Sequence, residues 1–330
     1  MNRPEQVGAS AMPLLQVRGL RVAFGSSEVV HGLDFELAAG EKLALVGESG
    51  SGKTVSALSL LRLLPQASVS GSVSLDGREL LDLPQAELRA VRGGQVAYVF
   101  QEPMSALNPL HTVGDQVAEP LRLHRGLSRK AALSEAADLL DRVGIAMARQ
   151  RLHDHPHQFS GGQRQRIMIA MALSCNPDLL IADEPTTALD VTVAQRLLEL
   201  MQSLVQERGM GLLLISHDLG VLARQVQQLK VMYAGQIVEQ GPTAEVLTTP
   251  AHPYTRGLLA SRPQWLRAPQ EASQRMRLPT LPGQVPELHQ LDQGCAFADR
   301  CSLVEDACRA SAPPSIRLSP ARQALCWRLS

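Results

Sequence analysis

Hydrophobic residues recur along this chain in short runs and in helical spacings, separated by turn residues. Short apolar runs at residues 42–46, 179–182 and 212–215 predict buried β-strands. Apolar positions at helical spacing predict one helix over residues 54–64, ended by the proline that follows, and another over residues 130–143. This mixture of strands and helices predicts an α/β fold.

The pattern divides the chain into two predicted parts. In the larger part, residues 12–250, strands and turns come first, a helix-rich stretch covers residues 105–178, and strands return after it. Ten of the 21 prolines fall from Pro250 onward, which argues against long regular elements there. We therefore predict that residues 251–330 form an irregular C-terminal extension.

Composition and charge argue against several classes of protein. The 330 residues carry a formal net charge of zero and only 3% aromatic residues, which argues against a nucleic-acid-binding surface. No uncharged apolar run approaches the ~18 residues that span a bilayer. Residues 1–12 also lack the apolar core of a secretory signal. These features predict a soluble cytoplasmic protein that reaches a membrane only through partners.

Residues 47–54 read Gly-Glu-Ser-Gly-Ser-Gly-Lys-Thr and match the P-loop pattern G-x-x-x-x-G-K-[ST]. Backbone N–H groups of such a loop surround phosphate oxygens, and the helix that follows favours negative charge at its N-terminus. Lys53 would reach the β- and γ-phosphates of ATP, and Thr54 would bind Mg²⁺. The alternative is a Gly/Ser-rich turn with a surface lysine, which the flanking strand and helix disfavour. The predicted phosphate-binding residues are Gly47, Ser49, Gly50, Ser51, Gly52, Lys53 and Thr54.

Acidic residues end the second apolar run, and a histidine follows the third. Asp183 lies at the end of a buried strand, where α/β sheets bind ligands, and would hold the Mg²⁺ shell. Glu184 would polarise the attacking water as a general base. His217 would contact the γ-phosphate. The alternatives are an acidic helix cap for the two carboxylates and a structural role for the histidine.

Ser160, Gly161, Gly162 and Gln163 open an apolar helix. Serine is a good N-cap, and the two glycines leave the helix N-terminus accessible to a phosphate. An ordinary cap is the alternative, but it does not explain two adjacent glycines, because glycine is costly in a helix.

With these motifs in this order, residues 14–260 resemble the nucleotide-binding subunits of ABC transporters. The resemblance assigns the Walker A motif to residues 47–54, the Q-loop to Gln101, the signature to residues 160–163, Walker B to residues 179–183, the catalytic glutamate to Glu184, the D-loop to Ala188, Leu189 and Asp190, and the switch histidine to His217. Phe24 matches the aromatic residue that stacks on adenine. Two departures are visible: Phe159 replaces the usual leucine before the signature, and Phe24 replaces a frequent tyrosine.

The resemblance implies a P-loop NTPase core with antiparallel β and helical subdomains. It implies that Gln101 senses the γ-phosphate, Mg²⁺ and water. It also implies that the signature of a second ATPase subunit closes on the ATP held by the first. A P-loop metabolic kinase, the other reading of the P-loop, fails on residues 160–163 and on His217.

Further motifs resemble the dipeptide/oligopeptide importers within that family. They are residues 98–109 around Gln101, residues 182–191, and the His252-Pro253-Tyr254-Thr255 sequence that opens the extension. Residues 167–172 resemble the D-type rather than the F-type subunit. The implied partners are an F-type ATPase subunit, two transmembrane permeases and a periplasmic or extracellular substrate-binding protein, with this chain on the cytoplasmic face of the inner membrane.

Other functions stay open from the sequence. One alternative is that the same machinery imports nickel, glutathione or antimicrobial peptides instead of di- or oligopeptides. A soluble ABC ATPase acting in translation or DNA repair is disfavoured because this chain has one ATPase module and no long coiled-coil insertion.

Four cysteines of the extension, Cys295, Cys301, Cys308 and Cys326, are spaced C-x5-C-x6-C-x17-C. In a cytosolic protein they favour metal ligation over disulfides, and the spacing alone leaves zinc, an iron–sulfur cluster and free thiols open. The matching cysteines of peptide-importer ATPases imply a [4Fe–4S] cluster held by four thiolates. The fifth cysteine, Cys175, falls in an apolar segment and is predicted to be part of the core.

Overall fold

The computed structural model describes residues 12–101, 106–186, 189–223, 225–261, 280–286 and 293–329. The strands are β1 (Leu15–Phe24), β2 (Ser27–Leu37), β3 (Lys42–Val46), β4 (Ser68–Leu75), β5 (Arg78–Glu79), β6 (Val96–Val99), β7 (Leu179–Asp183), β8 (Gly211–Ser216), β9 (Gln228–Tyr233), β10 (Gln236–Pro242), β11 (Ser315–Ser319) and β12 (Arg322–Leu325). The helices are α1 (Lys53–Leu60), α2 (Gln85–Val91), α3 (Val113–Arg125), α4 (Arg129–Arg142), α5 (Ala148–Arg151), α6 (Gly161–Ala172), α7 (Val191–Arg208), α8 (Leu219–Leu222), α9 (Thr243–Thr248), α10 (Pro253–Ala260) and α11 (Asp306–Ala310).

Two sheets organise the molecule. The smaller sheet is antiparallel, in the order β2-β1-β4-β5. The larger has the order β11-β12-β10-β9-β3-β8-β7-β6, and its strands from β9 to β6 run parallel. This mixed α/β architecture confirms the predicted α/β fold class, but the predicted irregular character of residues 251–330 is not confirmed, because β11, β12, α10 and α11 lie there. The parallel strands also bring the carboxyl ends of β3, β6, β7 and β8 to one edge, where ligands bind in such sheets.

The apolar runs are continuous because both faces of the parallel sheet are buried. On β3, Leu43 and Leu45 pack in the core that lies under the antiparallel sheet. Ala44 and Val46 point the other way, into the core shared with the helices. The strands predicted at residues 42–46, 179–182 and 212–215 are therefore confirmed.

Helix α1 is shorter than predicted, because it ends at Leu60 rather than at residue 64. Arg62 adopts a left-handed conformation with φ of 51°. Its N–H donates to the carbonyl of Ser59, and the N–H of Leu63 donates to that of Leu58. This is the Schellman arrangement that terminates helices, here with arginine in the place that glycine usually takes.

Helices α3, α4 and α6 pack together and share one apolar core with the parallel sheet, which α6 contacts at β6. The helix predicted over residues 130–143 is α4. Ser128 caps α4, and its hydroxyl accepts the N–H of Ala131 at 3.3 Å.

Within the described residues, no helix is long and apolar enough to cross a membrane. The domain boundaries at residues 105–178 and 250/251 stay a prediction.

The C-terminal extension joins the main sheet through a hairpin that the sequence analysis did not identify. Strand β12 pairs antiparallel with β10, and β11 pairs with β12. The guanidinium of Arg322 on β12 donates at 2.8 Å to the carboxylate of Glu239, which is fully buried on β10. The same carboxylate accepts the backbone N–H groups of Ala251 and His252, both at 2.9 Å. Because all these donors serve one buried charge, they fix the start of the extension to the sheet.

Candidate functional site

The P-loop connects β3 to α1 in a space that tolerates no side chain at its first position. A Cβ on Gly47 would lie 2.1 Å from the backbone oxygen of Met232. Gly50 and Gly52 adopt positive φ of 80° and 95°, which glycine reaches at little cost. Glycine is therefore required here by close packing and by backbone conformation.

Lys53 is buried within the P-loop, with only 5% of its surface exposed. Its ammonium donates to the carbonyls of Gly47 and Glu48, both at 2.8 Å, and lies 3.4 Å from the Ser51 hydroxyl. Burial lowers the pKa of Lys53, and the negative charges of Glu184, Asp183 and Glu48 oppose that shift. The loop thus holds one cation where phosphate groups would approach.

Asp183 is buried at the end of β7 and accepts two hydrogen bonds. The Thr54 hydroxyl donates to one carboxylate oxygen at 3.2 Å, and the Tyr98 phenol donates to the other at 2.9 Å. Burial raises the pKa of Asp183, while these two hydrogen bonds oppose that rise. The Thr54 hydroxyl and the Asp183 carboxylate are therefore adjacent oxygen atoms, the ligand type that Mg²⁺ prefers.

Gln101, Glu184 and His217 meet where β6, β7 and β8 end. The Gln101 side-chain amide donates to one carboxylate oxygen of Glu184 at 3.1 Å. The Nδ1 atom of His217 lies 3.3 Å from the other oxygen. The Glu184 side chain is only 13% exposed, whereas that of His217 is 61% exposed. The three residues predicted to act together are thus brought into direct contact.

The signature residues form the predicted helix start, and Ser160 also caps that helix in the ordinary way. The Ser160 hydroxyl accepts the N–H of Gln163 at 3.4 Å, and the Gln163 side chain accepts the N–H of Ser160 at 3.0 Å. This reciprocal pair is a capping box. A Cβ on Gly161 would meet nothing within 4 Å, so this helix start faces open space. Among the hydrogen bonds of the described residues, none joins the signature to this chain's own P-loop.

Asp190 has a clear structural role at the start of α7. Its carboxylate accepts the N–H of Val193 at 2.9 Å and so caps the helix. The Val193 side chain in turn lies 3.1 Å from the Cβ position of Gly162. The first turn of α7 and the start of α6 therefore pack against each other within one chain. Ala188 of the D-loop lies outside the described residues, as do residues 102–105 of the stretch after Gln101.

The two departures from the family pattern keep an apolar contact. Phe159 is buried, and the Arg151 guanidinium lies 3.8 Å from its ring centroid. Phe24 is half-buried at the end of β1 and packs against the core under the antiparallel sheet. Its contact with adenine stays a prediction.

The four cysteines of the extension line one cavity, together with His252, Phe297 and other residues. All four are free thiols. Burial raises the pKa of Cys295 to about 11 and also raises the pKa of Cys301 and Cys326. Within the described part of the chain, no group of three or more His, Cys, Asp or Glu side chains is arranged to hold a metal ion, so the predicted [4Fe–4S] cluster gains no support from the geometry. Cys175 is half-buried and lies apart from this cavity.

Sequence reasoning assigned no role to three residues that support the site, Tyr98, Tyr254 and Arg300. The Tyr98 phenol donates a hydrogen bond to the Asp183 carboxylate. Tyr98 lies on β6, three residues before Gln101 in the chain, and therefore near the edge of the sheet where the site lies. Arg300 holds the P-loop residue Glu48 through two hydrogen bonds, and Tyr254 holds the N–H of Glu48. No local pattern links partners that are more than 200 residues apart.

Comparisons with known proteins agree with this geometry. The profile of the ABC transporter family matches residues 30–187, and that of the oligopeptide/dipeptide transporter C-terminal region matches residues 238–308. A Brucella melitensis protein named as a peptide import ATP-binding protein is 49% identical over 331 residues, covering 97% of this chain and 98% of the relative. A Sinorhizobium fredii protein named as a peptide ABC transporter ATP-binding protein is 47% identical over 322 residues, covering 96% and 95%.

Solved structures show the same architecture. A dimeric ATP-binding cassette in a post-hydrolysis state, bound to ADP and Pi, superposes with a TM-score of 0.62 at 26% identity, covering 69% of this chain and 98% of that one. CbiO1 from Clostridium perfringens, part of the ABC transporter complex cbiONQ, gives 0.63 at 25% identity, covering 72% and 91%. The chain therefore belongs to the ABC transporter ATPases, in the group that carries the oligopeptide/dipeptide transporter C-terminal region.

Proposed function

We propose that this chain is the ATP-hydrolysing subunit of an ABC importer for di- or oligopeptides. The observation that carries this proposal is the contact of Gln101 and His217 with Glu184, beside a P-loop and a buried Asp183. The names of relatives that match nearly the full chain support peptides as cargo. The extension, which matches the oligopeptide/dipeptide transporter profile, supports the same cargo.

Each side chain has a defined part in ATP hydrolysis. Lys53 binds the β- and γ-phosphates, and the P-loop N–H groups surround their oxygens. Thr54, Asp183 and Gln101 would hold Mg²⁺, which when bound neutralises charge on the phosphates. Glu184 orients and polarises the attacking water, while His217 contacts the γ-phosphate. Phe24 stacks on adenine.

The signature residues serve a second subunit. Ser160 and Gly161 are exposed, and the helix start they form is suited to a phosphate group. We assign them, with Gly162, Gln163 and Asp190, to the ATP held by the partner ATPase. The similarity to a dimeric cassette supports this arrangement. The partner would be an F-type chain opposite this D-type chain.

The remaining partners follow from import. Two transmembrane permeases would receive the movement that hydrolysis drives, and a periplasmic or extracellular substrate-binding protein would deliver the cargo. This chain would then lie on the cytoplasmic face of the inner membrane. Nickel, glutathione and antimicrobial peptides are the alternative cargoes, since selectivity lies mostly in the partners. The similarity of relatives named for peptide transport argues against a soluble ABC ATPase.

The four-cysteine cavity would hold a [4Fe–4S] cluster. Four thiols converge on a space lined also by Phe297, Leu303 and Trp327, and such a cluster takes four thiolates. Zinc is the alternative occupant. Because burial raises the thiol pKa values, either occupant must displace protons to bind.

Uptake of a labelled dipeptide tests the proposal. Cells that lack any other copy of this gene would carry the parent chain, the Glu184→Gln variant or the control Glu199→Gln, which changes an exposed carboxylate on α7. We expect uptake to be lost only in Glu184→Gln. Equal uptake in all three would contradict peptide import driven by Glu184, and labelled nickel and glutathione would then be tested in the same cells.

A further inference from the structure

Glu48, the second residue of the P-loop, has all its polar groups engaged. Its carbonyl accepts a hydrogen bond from the Lys53 ammonium at 2.8 Å. Its N–H donates to the phenol oxygen of Tyr254 at 2.8 Å. Its carboxylate accepts two hydrogen bonds from Arg300, at 2.7 and 3.0 Å. Two of these three partners come from the C-terminal part of the chain, so the conformation of the loop depends on residues outside the ATPase motifs.

Arg300 is buried and held in place by several hydrogen bonds. Its side chain is only 6% exposed. Besides the two bonds to Glu48, its Nε atom donates to the carbonyl of Pro282 at 2.7 Å, and one terminal nitrogen lies 3.4 Å from the Tyr233 hydroxyl. The planar guanidinium fork matches a carboxylate in two places at once, which an ammonium cannot do. The pair is therefore strongly oriented.

Aromatic packing fixes the other contact to Glu48. The ring of Tyr254 lies with its centroid 4.6 Å from that of Tyr233 and 5.4 Å from that of Phe297. Tyr233 and Phe297 meet edge to face at 5.2 Å. Tyr233 and Tyr254 are fully buried and Phe297 is nearly so. Because the ring of Tyr254 cannot move freely, its hydroxyl is held where the N–H of Glu48 needs it.

The extension also faces the outer edge of the P-loop. A cleft is lined on one side by Glu48, Ser49 and Gly50, and on the other by residues 283–286. Arg300 joins the two sides, because it binds Glu48 and the carbonyl of Pro282, which precedes that segment. The approach to the phosphate-binding loop is thus shaped partly by the extension.

We infer that Arg300 and Tyr254 are positioning residues for ATP binding, acting through Glu48. Without Arg300, the Glu48 carboxylate would be an unpaired negative charge in the loop that receives a triphosphate, and it would repel that ligand. With Arg300 in place, that charge is neutralised and the loop is held open toward its ligand by two fixed contacts. This inference rests on the proposed binding of ATP at the P-loop.

A purely structural role for the same pair makes a different prediction. If Arg300 only attaches the extension to the ATPase core, its loss lowers the melting temperature but leaves the ATP affinity of the folded protein unchanged. The charge argument predicts instead that the affinity falls, and that removing the Glu48 charge restores most of it. Affinity and melting temperature must therefore be measured on the same samples.

The experiment is equilibrium binding of Mg²⁺-ATP to the full-length chain. The variants are Arg300→Gln, Arg300→Lys, Glu48→Gln, the double variant Glu48→Gln/Arg300→Gln, and Tyr254→Phe. Arg317→Gln, which changes an exposed arginine on β11, is the matched control. Lys53→Ala tests the P-loop as the ATP site.

We expect Arg300→Gln to raise the dissociation constant about tenfold, since it removes a charge-assisted pair beside the ligand. Arg300→Lys should raise it by a smaller factor, because it keeps the charge but loses the fork. The dissociation constants of Glu48→Gln and of the double variant should lie within about threefold of the parent's. These two constants should also be closer to each other than either is to that of Arg300→Gln. Tyr254→Phe should weaken binding, and Arg317→Gln should not.

Two outcomes would overturn the inference. One is parental affinity in folded Arg300→Gln, or in Arg300→Lys if the glutamine variant does not fold. The other is a double variant that binds as weakly as Arg300→Gln. Parental binding by Lys53→Ala would instead refute the proposed ATP site. Loss of binding in Lys53→Ala with no effect of Arg300 would refute only the role assigned to Arg300.

Discussion

At the scale of single residues, Glu184 holds a strained backbone at the point where β7 ends. Its φ is 44°, in the left-handed region, which costs a non-glycine residue ~1–3 kcal/mol. Its N–H donates to the carbonyl of Ile215 on β8 at 2.9 Å, which helps to hold this conformation. The result is that its carboxylate lies between Gln101 and His217.

Glu184→Gln keeps the size of the side chain and removes its basicity. We expect ATP turnover to fall by at least ~100-fold, the usual contribution of a general base, while ATP binding is retained. Phosphate release and nucleotide binding on the same purified sample would measure both, with Glu199→Gln as the control. Near-parental turnover would mean that another group activates the water.

Asp183→Asn tests the buried carboxylate through pH. Burial raises the folded-state pKa of Asp183 above its ordinary value of about 4, so ionisation costs stability as the pH rises through that window, and the cost is fully present above it. We expect Asp183→Asn to melt at a higher temperature than the parent at pH 7, with a smaller difference at pH 4. An equal difference at both pH values would show that desolvation of this charge is not the cause. ATP turnover should be lost in the variant.

The meeting of Glu184 and His217 could be predicted because each follows an apolar strand, and parallel strands end at one edge of a sheet. Gln101 was assigned to the same site by the resemblance. The role of Tyr98 could not be predicted, because a tyrosine on a strand is as consistent with core packing as with a hydrogen bond. Its contact with Asp183 depends on the relative alignment of β6 and β7, in which Tyr98 pairs with Ile181. That alignment is a property of tertiary structure.

At the scale of elements, helices α4 and α6 offer a matched pair of N-caps. Ser128 and Ser160 each accept a backbone N–H three residues on, at 3.3 and 3.4 Å. Ser128→Ala and Ser160→Ala should each lower stability by about 1 kcal/mol. Only Ser160→Ala should also reduce ATP turnover, because the signature is assigned to the partner's ATP.

Urea unfolding and ATPase assays of the assembled ATPase pair would separate the two effects. If both variants lost turnover equally, the loss would follow from helix stability, and the role assigned to Ser160 at the partner's ATP would be contradicted. If Ser160→Ala kept full turnover, the helix start would be a cap and nothing more.

Elements were well predicted where local signals agree and poorly where they do not. The capping residue at Ser160 and the spacing in α4 were visible in the sequence. The early end of α1 was not, because Arg62 takes a conformation that glycine normally signals. The β11–β12 hairpin was missed because it lies in the proline-rich extension and is completed only by pairing with β10, some 80 residues earlier.

At the scale of the whole molecule, four cysteines that are distant in sequence line one cavity of the extension. The N–H of Cys295 donates to the carbonyl of Cys308 at 2.7 Å, and Cys326 follows β12 directly. A cluster bound by all four thiolates would link these segments covalently. It would substitute for the apolar core that so short a segment cannot build.

Anaerobic purification tests the occupant of the cysteine cavity. We expect brown protein that contains iron and sulfide, and loss of iron with a lower melting temperature in Cys301→Ala. Cys175→Ala, which changes a cysteine outside the cavity, should keep its iron. Colourless protein with about one zinc per chain would refute the cluster and support the alternative.

The link between Glu48 and Arg300 also has a consequence for how the protein is made. The two residues are 252 positions apart in the chain, and ribosomes add ~5–20 residues per second. The P-loop is therefore synthesised roughly 10 to 50 s before the arginine that neutralises its glutamate. The P-loop can therefore reach its final, charge-neutralised form only after Arg300 has been synthesised.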